Sequence, residues 1–270
     1  MNLIETIKVI ILGIIQGITE WLPVSSTGHM LLFDQIMPLD LSDEFISVFM
    51  VVVQLGSILA VIVLYFNELW PFRKEKSESV RTLKLWGKVL IATVPAGIAG
   101  LLLDDIIDEK LSTWPVIAGA LFVYGVLYLF LEKRIGVNVR VNSVDELTIK
   151  DSVFMGLFQM LALIPGTSRS GSTILGGLIG GISRPVAAKV SFFMAIPVMA
   201  GASLLRLLKS GFAFTAAEWG YLALGSLVAF LVSLVAIKGL MSYVRNHDFS
   251  VFGVYRIILA AVVVVYFTVF

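Results

Sequence analysis

Six mostly apolar runs, Phe45 to Phe66, Leu85 to Leu103, Pro115 to Leu131, Val186 to Leu205, Trp219 to Ile237 and Val251 to Phe270, decide most of what this chain can become. Each approaches the roughly 20 residues needed to cross a hydrocarbon core about 30 Å thick. Hydrophobic residues make up 58% of the chain and charged residues 14%, against about 45–50% and about 25% in an ordinary soluble domain. A water-soluble core formed by 270 residues could not hide that much apolar surface. The class is therefore an all-α integral membrane protein with six transmembrane helices, a single membrane domain over residues 1–270. A net charge of +1 gives no reason to expect a nucleic acid partner. With no cysteine, thiolate catalysis, Cys-ligated zinc and disulfides are excluded.

The loops between the runs differ in charge. Arg73, Lys74, Lys76, Arg81 and Lys84 fill one, Lys133, Arg134, Arg140 and Lys150 another, and Lys238 and Arg245 a third. The positive-inside rule places these three in the cytoplasm. The alternate loops carry Asp40, Asp43 and Glu44, then Asp104, Asp105, Asp108 and Glu109, then Glu218, with Lys110, Arg206 and Lys209 as basic exceptions. Six spans separate the termini and the first span starts outside, so both termini are expected outside. The N-terminus lacks the basic region of a cleavable signal peptide. At 100° per residue its Glu5, Lys8, Gln16, Thr19 and Glu20 share one side, a polar face turned toward the protein interior.

Two further apolar stretches, residues 1–36 and 152–182, are each broken at the middle by a cluster of Pro, Gly, Ser and Thr. The first break reads Leu22-Pro23-Val24-Ser25-Ser26-Thr27-Gly28-His29, the second Pro165-Gly166-Thr167-Ser168-Arg169-Ser170-Gly171-Ser172-Thr173. Proline, lacking an N–H, stops the incoming helix, and glycine permits the reversal that follows. Each stretch reads as a re-entrant helix-loop-helix. Irregular backbone at membrane depth persists only where protein buries it or a wet cavity touches it, so the pair predicts a cavity.

The two stretches also resemble each other. Gly13-Ile14-Ile15-Gln16 parallels Gly156-Leu157-Phe158-Gln159, and aligning the prolines sets Ser26 opposite Ser168. Phe49-Met50 matches Phe193-Met194, Gly56 matches Gly201, and Trp86-Gly87 matches Trp219-Gly220, in the same order. Each half, residues 1–135 and 152–270, is then one re-entrant unit plus three spans. Three being odd, the halves run in opposite directions and form an inverted-topology repeat whose loops meet near the midplane. That architecture is shared by many secondary transporters and locates a site without naming its activity.

The broken loops combine hydroxyls, glycines and new helix N-termini, whose free N–H groups and positive dipole ends suit an anion. Arg169 adds a fixed charge with a planar fork of donors suited to phosphate oxygens; the alternatives are that it pairs with Glu20 or snorkels to an interface. Glu20, with Gln16 one turn earlier, could hold a divalent cation, accept a proton, or form a structural polar pair. His29 beside Ser25 and Ser26 could be the base for a serine nucleophile, a nucleophile carrying a phosphoryl group, or a helix-cap donor. His247 sits beside Asp248 in a cytoplasmic loop and reads as solvated. No Gly-x-x-x-x-Gly-Lys-Ser/Thr loop is present, which excludes a P-loop ATPase.

Gln16-x-x-x-Glu20 and the Pro23 to His29 and Pro165 to Thr173 runs closely resemble the signature segments of the undecaprenyl-diphosphate phosphatase, or bacitracin-resistance, family. The resemblance spans essentially the whole chain. It implies a bacterial cytoplasmic-membrane hydrolase of a phosphoric anhydride, converting undecaprenyl diphosphate to the monophosphate and phosphate and so recycling the peptidoglycan carrier lipid. It further implies a divalent cation, Mg2+ or Ca2+, and a site opening toward the outer face. By motif, Glu20, Ser26, His29 and Arg169 would be catalytic, with Ser26 and His29 as nucleophile and partner. Ser25, Thr27, Gly166, Thr167, Ser168, Ser170, Gly171 and Thr173 would bind substrate, and Glu20 with Gln16 the metal. The family carries Glu or Gln at the first motif position; Gln16 here leaves one fewer carboxylate. The partners expected are the lipid diphosphate, the bilayer and, as an assembly, a homodimer. A polyprenyl-phosphate transporter or flippase with the same inverted repeat is the alternative.

Overall fold

The computed structural model describes residues 2–135, 139–210 and 212–269. The side chains of residues 104–106, 108 and 133–135 are not described, so the charge expectations at Asp104, Asp105, Asp108, Lys133 and Arg134 lie outside the described residues. In chain order the helices are α1 (Leu3–Thr19), α2 (Ser26–Ile36), α3 (Asp43–Val52), α4 (Gln54–Leu64), α5 (Phe66–Leu69), α6 (Lys76–Ile106), α7 (Trp114–Ile135), α8 (Ile149–Leu161), α9 (Arg169–Ile179), α10 (Arg184–Ser210), α11 (Ala216–Tyr243) and α12 (Ser250–Val269). Among the described residues the only extended pairing is an isolated parallel bridge between Val141 and Ile182. Among the described residues six helical segments are long and apolar enough to cross a membrane: α3 with α4, α6, α7, α10, α11 and α12.

Several boundaries differ from the sequence expectation. α6 starts at Lys76 rather than Leu85, because Lys, Arg and Glu are good helix formers and a helix need not end where its hydropathy does. The first span is broken at Val53. There the Gln54 side-chain Nε2 donates to the Met50 carbonyl at 3.3 Å, the acceptor that an unbroken helix would assign to the Gln54 backbone. α6 and α10 run on through Pro95 and Pro197, each of which removes one backbone donor from its helix.

Packing exchanges helices between the two halves. α1 lies on α11 and α8 lies on α6, while α7 packs along α12 and α10 touches α3, α4, α6 and α9. The first two contacts are close enough to demand glycine. A Cβ on Gly13 would stand 2.8 Å from the Gly225 carbonyl oxygen, and one on Gly156 would stand 2.5 Å from that of Ala92. On α11, Leu227, Leu231 and Val235 recur every fourth residue and are exposed; in lipid such a stripe is the ordinary surface. The polar face of α1 points inward as expected: Glu5 is buried, pairs with Lys8 at 2.9 Å and accepts from the Asp40 backbone at 3.1 Å.

The cationic ends gather ion pairs, Arg81 with Asp145, Arg140 with Asp151, Arg184 with Glu132 and Lys189 with Glu68. Together they tie the starts of α6, α8 and α10 to the segments beside them.

Candidate active site

Both broken stretches fold as helix, tight loop, helix, and the second helix of each begins in the same way. Ser25 and Ser168 both sit at φ +72°, where a side chain is sterically costly, and both cap the following helix. The Ser25 Oγ accepts from the Gly28 N–H at 3.3 Å and the Ser168 Oγ from the Gly171 N–H at 3.1 Å. The matching serines are therefore Ser25 and Ser168, and the proline-based pairing of Ser26 with Ser168 is off by one residue. One residue, Val24, separates Pro23 from its cap, and two, Gly166 at φ +91° and Thr167, separate Pro165 from its own. In corrected register Ser26 opens α2 where Arg169 opens α9.

These two residues meet at Glu20. Its Oε2 accepts from the Gln16 Nε2 at 3.0 Å and from the Ser26 Oγ at 3.4 Å, while its Oε1 pairs with the Arg169 Nη2 at 3.2 Å. The Arg169 Nη1 donates to the Ser191 carbonyl at 2.7 Å, and its guanidinium carbon lies 5.8 Å from the Trp21 ring centroid. The Ser191 and Thr173 hydroxyls stand 2.7 Å apart, so α10 and α9 together hold the arginine. Beside this group is a cavity of about 200 Å³ whose polar wall is Glu20, Ser26, Thr27, Gln54, Gln159, Ser168 and Arg169, with Gly166 supplying backbone. Its remaining wall, including Ala96, Leu163, Val198 and Met199, is apolar.

Not every residue expected at the site reaches this cavity. Gln16 touches Glu20 from behind. Ser25, Thr167, Ser170 and Thr173 are buried within the loop structure; Ser170 donates to the Leu22 carbonyl at 3.2 Å, joining one loop to the other. Gly171 offers its carbonyl to the Tyr128 hydroxyl at 2.7 Å. His29 stands apart from the cavity wall. Its Nδ1 lies 2.7 Å from the Ser25 carbonyl and its Nε2 lies 2.7 Å from the Tyr255 hydroxyl, against whose ring it stacks. A carbonyl only accepts, so Nδ1 carries the proton and Nε2 accepts from Tyr255.

This geometry belongs to a chain whose residues 9–262 match the family model described as bacitracin resistance protein BacA. The chain belongs to that family. It is 54% identical to undecaprenyl-diphosphatase 1 of Clostridioides difficile, covering 98% of this chain and 97% of that protein. It is 52% identical to the undecaprenyl-diphosphatase of Acetivibrio thermocellus, covering 98% of each, and 51% identical to that of Enterococcus faecalis, covering 97% of each.

The family match includes a residue that the sequence reading passed over. Arg256 of α12 is fully buried and donates to the Pro23 carbonyl at 3.2 Å, the Gly166 carbonyl at 2.8 Å and the Thr167 carbonyl at 3.0 Å. Its guanidinium also faces the Tyr124 ring at 5.4 Å. One cation thus satisfies carbonyls that the breaks in both stretches leave free. The signal was present in the sequence, since an arginine inside an apolar run is a functional candidate by default. Ser191, Gln54 and Gln159 were legible by the same rule, as polar residues within apolar runs.

Proposed function

We propose that the chain is a membrane phosphatase that hydrolyses undecaprenyl diphosphate to undecaprenyl phosphate and inorganic phosphate, with Ser26 as nucleophile. The observation that carries this is the Ser26–Glu20–Arg169 group on one cavity wall, in a family whose relatives are named for this reaction. Ser26 Oγ attacks the terminal phosphorus and passes its proton to Glu20 Oε2, its hydrogen-bond acceptor. The bridging oxygen leaves on undecaprenyl phosphate, and water then releases phosphate from the seryl ester. Arg169 and the first-turn N–H groups of α2 and α9 offset the charge that spreads over the phosphoryl oxygens. His29, with both ring nitrogens engaged, holds the carbonyl of the strained Ser25 and so aims Ser26.

A divalent cation, Mg2+ or Ca2+, suits the donor chemistry of the cavity. Among the described residues no group of three or more His, Asp or Glu side chains could hold a metal. Glu20 is the carboxylate on the wall, and Mg2+ is commonly held by one or two carboxylates plus substrate phosphates. When bound, such an ion would neutralise phosphate oxygens.

Several architectural readings belong to the same proposal. The identical serine caps and the reciprocal contacts of α1 with α11 and α8 with α6 support an inverted repeat with two re-entrant segments. By the positive-inside rule the ion-paired end lies in the cytoplasm and both termini outside, and the family resemblance implies a site opening toward the outer face. The relatives' names favour hydrolysis over the flippase alternative. Purified protein given undecaprenyl diphosphate should release phosphate, and chelator should stop it. Ser26→Ala should abolish release; full turnover by that variant overturns the nucleophile.

A further inference from the structure

Among the described residues, two buried polar atoms on residues of the cavity wall lack partners, and they are opposite in kind. Arg169 Nε is a donor and Gln159 Oε1 an acceptor. Gln159 is only 2% exposed, and its Nε2 donates to the Ala92 carbonyl of α6 at 3.4 Å. That bond settles which way the amide points, since the flipped form would press two acceptor oxygens together. The oxygen is thus the atom without a partner among the described residues, on a residue of the cavity wall. An unmet buried acceptor costs about 1–3 kcal/mol.

A phosphate oxygen would satisfy Arg169 Nε and repel Gln159 Oε1. A hard divalent cation does the reverse, because amide oxygens are among its preferred ligands. The two orphans together therefore match an anion with its counter-cation. Gln16, the motif residue, presents its amide nitrogen to Glu20, so that end donates where a metal ligand must accept, and it does not line the cavity. We infer that Gln159, from the second broken stretch, is the amide-oxygen ligand of a divalent cation held with the Glu20 carboxylate; the phosphate share of the coordination rests on the phosphatase reading above. By this assignment the metal site draws one residue from each stretch.

The test is a Mn2+ titration of the detergent-purified, substrate-free protein followed by electron paramagnetic resonance. Gln159→Met should weaken Mn2+ binding about tenfold, Gln159→Glu should tighten it, and Gln16→Met should shift it less than Gln159→Met. Wild-type affinity in Gln159→Met overturns the assignment, as does loss of Mn2+ binding confined to Gln16→Met. Should Gln159→Met fail to fold, Gln159→Glu decides: binding no tighter than wild type overturns the ligand. Phosphate release by the wild type is scored separately. Hydrolysis without the Mn2+ shift removes the ligand and keeps the enzyme; the shift without hydrolysis keeps the ligand and removes the enzyme.

Discussion

The two broken loops share one backbone device and carry opposite chemistry. Each has a serine at φ +72° capping a glycine N–H three residues on, and each starts an 11-residue helix at the site. At the first position of those helices one loop has Ser26, bonded to a carboxylate, and the other has Arg169. The repeated scaffold therefore sets position, while the residue placed on it sets function. Two alike helix N-termini thus differ at their first residue, which in the proposed mechanism separates nucleophile from anion clamp.

The sharpest way to break this contrast is to keep the Arg169 charge and remove its fork. Arg169→Lys should lower kcat/KM about a hundredfold, because a point charge cannot serve Glu20, Ser191 and a phosphate oxygen together. A loss below about threefold in a phosphate-release assay would reduce the clamp to a charge.

Next in size is Arg256→Gln, which acts on both loops at once. It removes donors to Pro23 on one side and to Gly166 and Thr167 on the other. Each orphaned carbonyl costs about 1–3 kcal/mol, so the detergent-solubilised protein should melt markedly earlier and lose kcat with little change in KM. If only one loop becomes more open to protease cleavage, the shared strut is disproved.

The caps give a smaller and symmetric effect. Ser25→Ala and Ser168→Ala should each cost about 1 kcal/mol, and the glycine variants should recover much of it because φ +72° is inexpensive for glycine. Melting temperatures that separate the two sites widely would show that the loops are not equivalent.

The smallest expected effect lies at the far end of α8. Burial alone would raise the Asp151 carboxyl, but hydrogen bonds from Arg140 and Thr148 outweigh it and hold that group below the usual carboxylate range. A depressed carboxylate contributes its stability fully above its unfolded value, about pH 4, and loses it as pH falls through the folded value. Asp151→Asn should therefore flatten the acid limb of melting temperature against pH. Parallel curves for variant and wild type would remove Asp151 from the acid response.

Much of the fold was legible in the chain because membrane helices announce themselves locally. The six spans follow from run length, the two breaks from Pro and Gly, and Glu20, Ser26, Arg169 and the phosphatase family from short motifs. Harder to read were the helix extensions past the apolar runs, as at Lys76, and the break at Val53, where a glutamine competes with the backbone ladder. The register between the loops was misread by one residue because proline marks where a helix stops, whereas the serine cap marks where the next begins.

By itself the sequence determined class, span number, the two interruptions and which polar residues had to be held inside, since each depends on neighbours a few positions away. Only the tertiary structure decided who meets whom. Glu20 finds Arg169 across 149 positions and Arg256 reaches Pro23 across 233. His29 turns to Tyr255 and the Ser25 carbonyl rather than to the cavity, and Gln159 Oε1 has no partner among the described residues. The physical reason is the same in each case. Local pattern dictates what must be buried, but buried charge and hydrogen-bonding capacity are settled by whichever distant helix packs alongside, and α1 on α11 and α8 on α6 are pairings that no local pattern contains.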